Sequence, residues 1–235
     1  MYRMFRMKTS AIALLLGAIA TASLLNACST PSQNQAQTPS PAAATAGSNQ
    51  PMAHGNAHHG GTMDHSASME LGPANAEYDL RFVDAMTPHH EGAVAMAQEA
   101  QQKSQRPEIQ KLAADIIAAQ NKEIGALKQW RQAWYPNASA QPVAWSAQMG
   151  HAMPMSPDQR KGMAMDMALG AADAEFDLRF INAMIPHHEG AVTMAQDALS
   201  KSKRPEIKQL AQDIIKSQEA EIQQMQQWRQ AWYQR

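Results

Sequence analysis

The sequence predicts an all-α protein, a four-helix bundle built from two repeated helical hairpins. Residues 77–135 recur as residues 175–233 at a constant offset of 98, with 39 of 59 positions identical. Within each copy, apolar residues recur at the spacing of one helix face. No stretch alternates with the two-residue period of a strand, so we expect no sheet. One hairpin cannot cover its own apolar face, whereas two hairpins can cover each other.

The first copy, residues 76–135, predicts two helices. The first helix spans about residues 76–103 and keeps its apolar residues on one side. The second begins at Pro107, a favourable first helical residue, and ends before Pro136, which cannot continue it.

The second copy, residues 174–235, repeats this pattern with helices at about 174–201 and 205–233. A long linker, residues 136–173, separates the two copies and contains six methionines. We expect no core in this linker, so packing would not explain its methionines.

The N-terminus has the features of an export signal. Residues 1–27 combine a basic start with an apolar run and small residues, which is typical of a secretory signal peptide. The next residue, Cys28, is the only cysteine, and its context resembles a bacterial lipobox. We expect acylation of Cys28, with ordinary signal cleavage as the alternative. By resemblance to the sorting of Gram-negative lipoproteins, Ser29 after this cysteine implies the outer membrane, with the protein facing the periplasm.

Residues 28–75 predict a disordered tether, because they are mostly Ser, Pro, Gln, Ala and Thr. The tether ends in a segment rich in methionine and histidine, residues 52–69. Without residues 1–27 the chain has 17 basic and 21 acidic residues. This balance argues against nucleic acid as a partner.

A Met-x-x-His-His pattern stands in the first helix of each copy. At 100° per residue, Met86, His89 and Met96 share the core-facing stripe, and His90 lies at its edge. Pro88 either kinks this helix or begins a separate one. The second copy has the same pattern at Met184, His187, His188 and Met194.

The second helix of each copy places two polar residues on its apolar side. These are Gln120 and Glu123 in the first copy, and Gln218 and Glu221 in the second. A buried carboxylate needs a partner, and a histidine N–H of the facing helix is the obvious candidate. Each glutamate would then orient an imidazole ligand.

These residue types predict a site for a soft metal ion. A single core histidine is usually hydrogen-bonded, and methionines at helical spacing usually fill a core. The joint pattern occurs twice, however, and Met-rich segments surround it. Imidazole and thioether ligands suit Cu(I) and Ag(I). Auxiliary capture of the ion is expected at His54, His58, His59, His65, Met149, His151, Met153 and Met155.

The two motifs resemble those of a bacterial family known as domain of unknown function 305. Its pattern is Met-x-Pro-His-His-x-x-Ala, followed later by Gln-x-x-Glu-Ile-x-x-Met. The last methionine is present as Met225, but Leu127 replaces it in the first copy. The resemblance implies two tandem copies, a ferritin-like fold, and exported copper-binding proteins that buffer or deliver copper.

We therefore expect an exported, non-enzymatic copper(I)-binding protein that sequesters copper or passes it to a copper-exporting or copper-accepting protein. One alternative is a di-iron oxidase, which would need several inward glutamates and Glu-x-x-His motifs. Each copy offers one inward glutamate, Glu123 or Glu221, and no Glu-x-x-His. The other alternative is a structural lipoprotein without metal, in which the methionines only pack.

Overall fold

The computed structural model describes residues 70–235. The predicted signal peptide, the expected acylation of Cys28 and the four histidines of the predicted tether lie outside these residues. The described elements are α1 (Tyr78–Lys103), α2 (Pro107–Trp134), β1 (Val143–Ser146), β2 (His151–Pro154), α3 (Pro157–Ala164), α4 (Phe176–Lys201) and α5 (Pro205–Tyr233). The prediction of a mostly helical fold is confirmed.

Helices α1 and α4 lie at the centre, and each packs against the helix that follows its own short connection. α1 contacts α2, α4 contacts α5, and α1 also contacts α4. The hydroxyl group of Tyr78, at the start of α1, donates to the carboxylate of Asp197 near the end of α4, at 2.8 Å. Lys103, at the end of α1, donates to the carbonyl group of Gly170 ahead of α4. α1 and α4 are therefore antiparallel.

Two equivalent cation–π contacts connect the two outer helices, α2 and α5. The guanidinium group of Arg106, just before α2, lies 4.2 Å from the ring centroid of Trp232 in α5. Arg204, just before α5, lies 4.0 Å from the ring centroid of Trp134 in α2. The start of each outer helix is thus tied to the end of the other. None of the helices in residues 70–235 is long and apolar enough to cross a membrane.

The expectation of no sheet is wrong. β1 and β2 form an antiparallel pair, with Val143 opposite Pro154 and Ser146 opposite His151. Each strand has four residues, which is too short for a two-residue period to be recognised in the sequence. Gly150 closes the turn with a φ of 69°, in the left-handed region that favours glycine.

The expectation that the linker methionines have no core to fill is also wrong for two of them. Met155 is 3% exposed and Met163 is 4% exposed. Met163 belongs to α3, which begins with a capping box between Ser156 and Gln159 and packs against α1. The linker is therefore partly folded onto the bundle.

A buried aspartate explains why the linker docks on α1. Asp84 accepts hydrogen bonds from Arg131 of α2 and from the backbone N–H of Val143 in β1. Burial raises the pKa of Asp84, whereas Arg131 lowers it. The corresponding residue of α4 is Asn182, which is exposed and hydrogen-bonds only weakly to Arg229, at 3.3 Å.

Candidate metal centre

Four histidines meet where α1 crosses α4. His89, His90, His187 and His188 are all buried. The rings of His89 and His187 stack with their centroids 3.9 Å apart. His187 and His188 lie edge to face, with their centroids 6.3 Å apart. The sequence thus places two histidines on each central helix, and the antiparallel packing brings all four together.

The prolines before these histidines lie inside continuous helices. Pro88 is within α1 and Pro186 is within α4. The alternative that Pro88 begins a separate helix is therefore wrong. A proline has no backbone N–H, so it cannot donate to the carbonyl group four residues earlier.

Backbone carbonyl groups hold the central pair of histidines. His89 Nδ1 lies 2.8 Å from the carbonyl oxygen of Met163, and its Nε2 lies 2.9 Å from that of His187. Burial lowers the pKa of His89 to about 4, so the ring is neutral at pH 7 and donates to only one of these oxygens. Both ring nitrogens of His89 thus face backbone carbonyl oxygens, and one of the two contacts is a hydrogen bond.

His187 has one engaged nitrogen and one free nitrogen. Its Nε2 lies 3.0 Å from the carbonyl oxygen of Ala164, the last residue of α3. Burial, followed by the influence of His89 and His188, lowers the pKa of His187 well below its usual range. Within residues 70–235 its Nδ1 has no hydrogen-bond partner, so its lone pair is available to a ligand.

The outer two histidines each face a glutamate. His188 Nε2 hydrogen-bonds to Glu221 Oε2 at 2.6 Å. His90 Nε2 lies 2.8 Å from Glu123 Oε2, but within residues 70–235 neither ring nitrogen of His90 makes a hydrogen bond. A carboxylate that accepts from Nε2 leaves Nδ1 as the metal-binding nitrogen. In the described part of the chain, Nδ1 of His90 and Nδ1 of His188 have no partner.

The sequence placed His90 at the edge of the core, and the structure buries it fully. The structure also buries Gln120 and Gln218, one turn before Glu123 and Glu221. Among the described residues, Oε1 of each glutamine has no hydrogen-bond partner. Buried polar atoms without partners are rare and often mark a water or an ion that occupies the site.

The buried methionines fall into two groups, and each group draws on both copies. The first core cluster contains Met86 of α1 and Met194 of α4, with Leu127 of α2. The second contains Met96 of α1 and Met184 of α4, with Met225 of α5. Met86 and Met96, which share one stripe of α1, therefore belong to different clusters.

Met163 is a candidate ligand that sequence reasoning missed. It lies in the same core cluster as Met86, Leu127 and Met194. Each cluster thus contains three methionines, although Leu127 replaces a methionine in the first. The sequence signal was the capping box of α3, which marks Met163 as part of a helix.

A glycine lets α3 approach these histidines. A Cβ atom on Gly92 would lie 1.9 Å from the carbonyl oxygen of Ala164. Glycine at this position therefore allows the last turn of α3 to reach His89 and His187. Beside this contact a cavity of about 490 Å³ is lined by residues that include Pro88, Met155 and Arg160.

Two other observations limit the kind of site. Within residues 70–235, no group of three or more His, Cys, Asp or Glu side chains is arranged to hold a metal ion. The residues expected to capture the ion outside the motifs differ in exposure. Met155 is buried, whereas Met149, His151 and Met153 are exposed on the β1–β2 hairpin. The donors that the structure gathers in the bundle are imidazoles and thioethers.

Residues 79–229, which include all four buried histidines, match a family described as Domain of unknown function (DUF305). The chain is similar to CopM in its Cu(I)-bound form, with 41% identity and a TM-score of 0.51. It is similar to CopM in its Cu(II)-bound form with 43% identity and a TM-score of 0.53. Both comparisons cover 66% of this chain and 97% of CopM.

A DUF305 fragment from Deinococcus radiodurans is 28% identical, with a TM-score of 0.50, over 66% of this chain and 95% of the fragment. The uncharacterized protein L153 of Acanthamoeba polyphaga mimivirus is 51% identical over 49 residues, which are 21% of this chain. The chain matches 32% of the length of that curated relative.

Proposed function

This chain belongs to the DUF305 family, and from that premise we propose that it binds copper(I) and either sequesters the ion or delivers it. The observation that carries the proposal is the free Nδ1 of His90, His187 and His188, buried on the same two helices, α1 and α4, that contribute methionines to both core clusters. Neutral imidazole with thioether is a donor set suited to Cu(I) and Ag(I). Solved structures of CopM, at 41–43% identity, have Cu(I), Ag and Cu(II) bound.

We infer that the two hairpins are two copies of one metal-binding unit and that they share their ligands. His90 would act with Met86, Met163 and Met194. His188 would act with the methionines of the second cluster, Met96, Met184 and Met225.

His89 and His187 lie between the two groups. Both nitrogens of His89 face carbonyl oxygens, so its proposed role is to position the other rings. His187 keeps a free Nδ1 and is a candidate ligand. Glu123 and Glu221 would fix the ring orientation of His90 and His188.

The protein is proposed to be a binder and not an enzyme. A di-iron oxidase would need carboxylates that converge on one site. The inward carboxylates Glu123 and Glu221 instead each face a histidine. Sequestration needs only buried donors, whereas delivery also needs a copper-exporting or copper-accepting partner.

The proposed location follows from the N-terminus of the sequence. A signal peptide at residues 1–27 and an acylated Cys28 would place the protein at the outer membrane, facing the periplasm. Thioether ligands suit that compartment, because thiolates would be oxidised there.

The test is an anaerobic titration of the mature protein with Cu(I) against a competing chelator. The variants are one with all four histidines changed to alanine and one with M96L, M184L and M225L. Leucine keeps the volume of methionine, so the second variant stays informative if the first does not fold. M167L, at an exposed methionine, is the matched control.

We expect the histidine variant to weaken Cu(I) binding at both bundle sites, and the methionine variant to weaken it at the second site, by at least about tenfold in each case, which is a typical effect of disturbing a metal site. M167L should bind as the wild type does. Equal binding in wild type and both variants would move the ion out of the bundle and contradict the proposed sites. No binding by the wild type would contradict the copper function itself.

A further inference from the structure

The exposed face of the β1–β2 hairpin carries an unusual set of side chains. The large apolar residues that are exposed in residues 70–235 are all methionines, namely Met149 (57%), Met153 (38%) and Met167 (59%). Two of these three lie in the hairpin, on either side of His151. Met155, the next methionine, is buried and serves the core.

The strand register places His151 and Met153 side by side. Residues two apart on a strand point to the same face of the sheet. His151 and Met153 stand opposite Ser146 and Ala144 of β1, and both are exposed. Trp145 lies between Ala144 and Ser146 in β1, so its side chain points to the opposite face of the hairpin. On that face the guanidinium group of Arg81 lies 5.2 Å from the centroid of the Trp145 ring.

The turn holds Met149 next to this pair. The backbone N–H of Met149 donates to the hydroxyl oxygen of Ser146, and that of Gly150 donates to the carbonyl oxygen of Ser146 at 2.8 Å. Gly150 adopts a positive φ that allows the tight reversal. Met149 is thus two residues from His151 within an ordered turn.

A backbone contact selects the nitrogen of His151 that faces solvent. Its Nδ1 lies 2.9 Å from the carbonyl oxygen of Ala152. A carbonyl oxygen only accepts, so Nδ1 carries the proton and Nε2 keeps its lone pair. Metal-binding histidines typically have this arrangement, with the second ring nitrogen donating to a backbone carbonyl group.

We propose that Met149, His151 and Met153 form an exposed site for a soft monovalent cation, Cu(I) or Ag(I), on the β1–β2 hairpin. One imidazole nitrogen and two thioether sulphurs are the donors. The inference rests on the proposed function, because the hairpin would be the place where an ion binds first, before it reaches the buried sites. An exposed site exchanges its ion with solvent without any movement of the bundle, unlike the buried histidines.

The test uses the full mature chain labelled with ¹³C at the methionine methyl groups and titrated with silver nitrate until the methionine signals stop shifting. Silver avoids oxidation of the ion. Variants M149L and M153L assign their own signals, and exposed Met167 is the internal control. We expect the signals of Met149 and Met153 to shift together and that of Met167 to stay in place.

The H151A variant completes the test. It should raise the Kd for Ag(I) at the hairpin by at least about tenfold, a typical loss for a disturbed metal site. The proposal is overturned if Met149 and Met153 shift no more than Met167. The signals of buried Met184 and Met225 report separately on ion binding in the bundle. If these signals shift while those of Met149 and Met153 do not, the hairpin site is refuted and the proposed function stands.

Discussion

Replacing Gly92 by alanine should detach α3 from the bundle. The added Cβ would lie 1.9 Å from the carbonyl oxygen of Ala164 and 2.8 Å from its carbonyl carbon. Both are backbone atoms, so no side-chain rotation relieves the clash. α3 must move away, and the contacts that it makes with His89 and His187 are lost with it.

The size of the effect follows from what α3 buries. Exposing Met163 costs about 1.5–3 kcal/mol, and the one or two hydrogen bonds that the rings of His187 and His89 donate to α3 contribute about 1 kcal/mol each. Alanine in place of a helical glycine returns about 1 kcal/mol. We therefore expect G92A to lower the free energy of unfolding by about 3 kcal/mol.

The assay is urea unfolding of the metal-free protein, followed by tryptophan fluorescence. G125A is the matched control, because a Cβ atom there meets nothing within 4 Å in the middle of α2. It should leave stability unchanged or raise it by up to about 1 kcal/mol. If G92A is as stable as G125A, the close packing of α3 on α1 is refuted.

Three further predictions follow from single residues. The folded pKa of His89 is about 4 and that of a free histidine is about 6.5, so the unfolded ring binds a proton that the folded ring does not. The free energy of unfolding should therefore fall as the pH drops from 6.5 towards 4. The loss from this ring alone is about 2 kcal/mol at pH 5. Urea unfolding of the metal-free protein between pH 5 and 7 measures it, and a free energy of unfolding that does not change with pH would contradict the prediction. Changing Asp84 to Asn removes the charged acceptor for the backbone N–H of Val143. The β1–β2 hairpin should then be cleaved faster in limited proteolysis, while α4 and α5 stay protected. Unchanged cleavage would show that Asp84 does not hold the hairpin on α1. M225L should weaken one Cu(I) site, whereas L127M should strengthen the other, as measured by chelator competition; identical affinities in both variants would show that these positions do not face the ions.

Local sequence patterns predicted the helices because their causes are local. The predicted second helix begins at Pro107, as α2 does, since proline suits a first helical turn. The repeat also extends further than 77–135 indicated. Leu71 and Leu169 are both buried, and their carbonyl groups accept from Arg81 and Arg179.

The composition of the methionine clusters could not be read from one helix. Met86 and Met96 share a stripe of α1, but α4 runs antiparallel to α1, so each meets a methionine of the other copy. That pairing depends on how two helices pack, and a helical wheel shows only one. The same holds for the stacking of His89 on His187.

The sequence contained an indication that the linker packs on α1, but it is a difference between the two copies and not a periodic pattern. Asp84 and Asn182 occupy equivalent positions of the two copies, and only Asp84 is buried with β1 as a partner. A difference between repeats at a charged, core-facing position therefore indicates a contact that one copy makes and the other lacks. Short strands and an eight-residue helix are otherwise too brief to show a period.

The most direct test of the central claim is X-ray absorption at the copper edge of the mature protein loaded with Cu(I). The proposed bundle sites combine imidazole nitrogen with thioether sulphur, so we expect a first coordination shell that contains both elements. The M96L, M184L and M225L variant should lose part of the sulphur scattering, because the methionines of the first cluster remain, while it keeps the nitrogen. A shell of nitrogen and oxygen alone in the wild type would contradict the account.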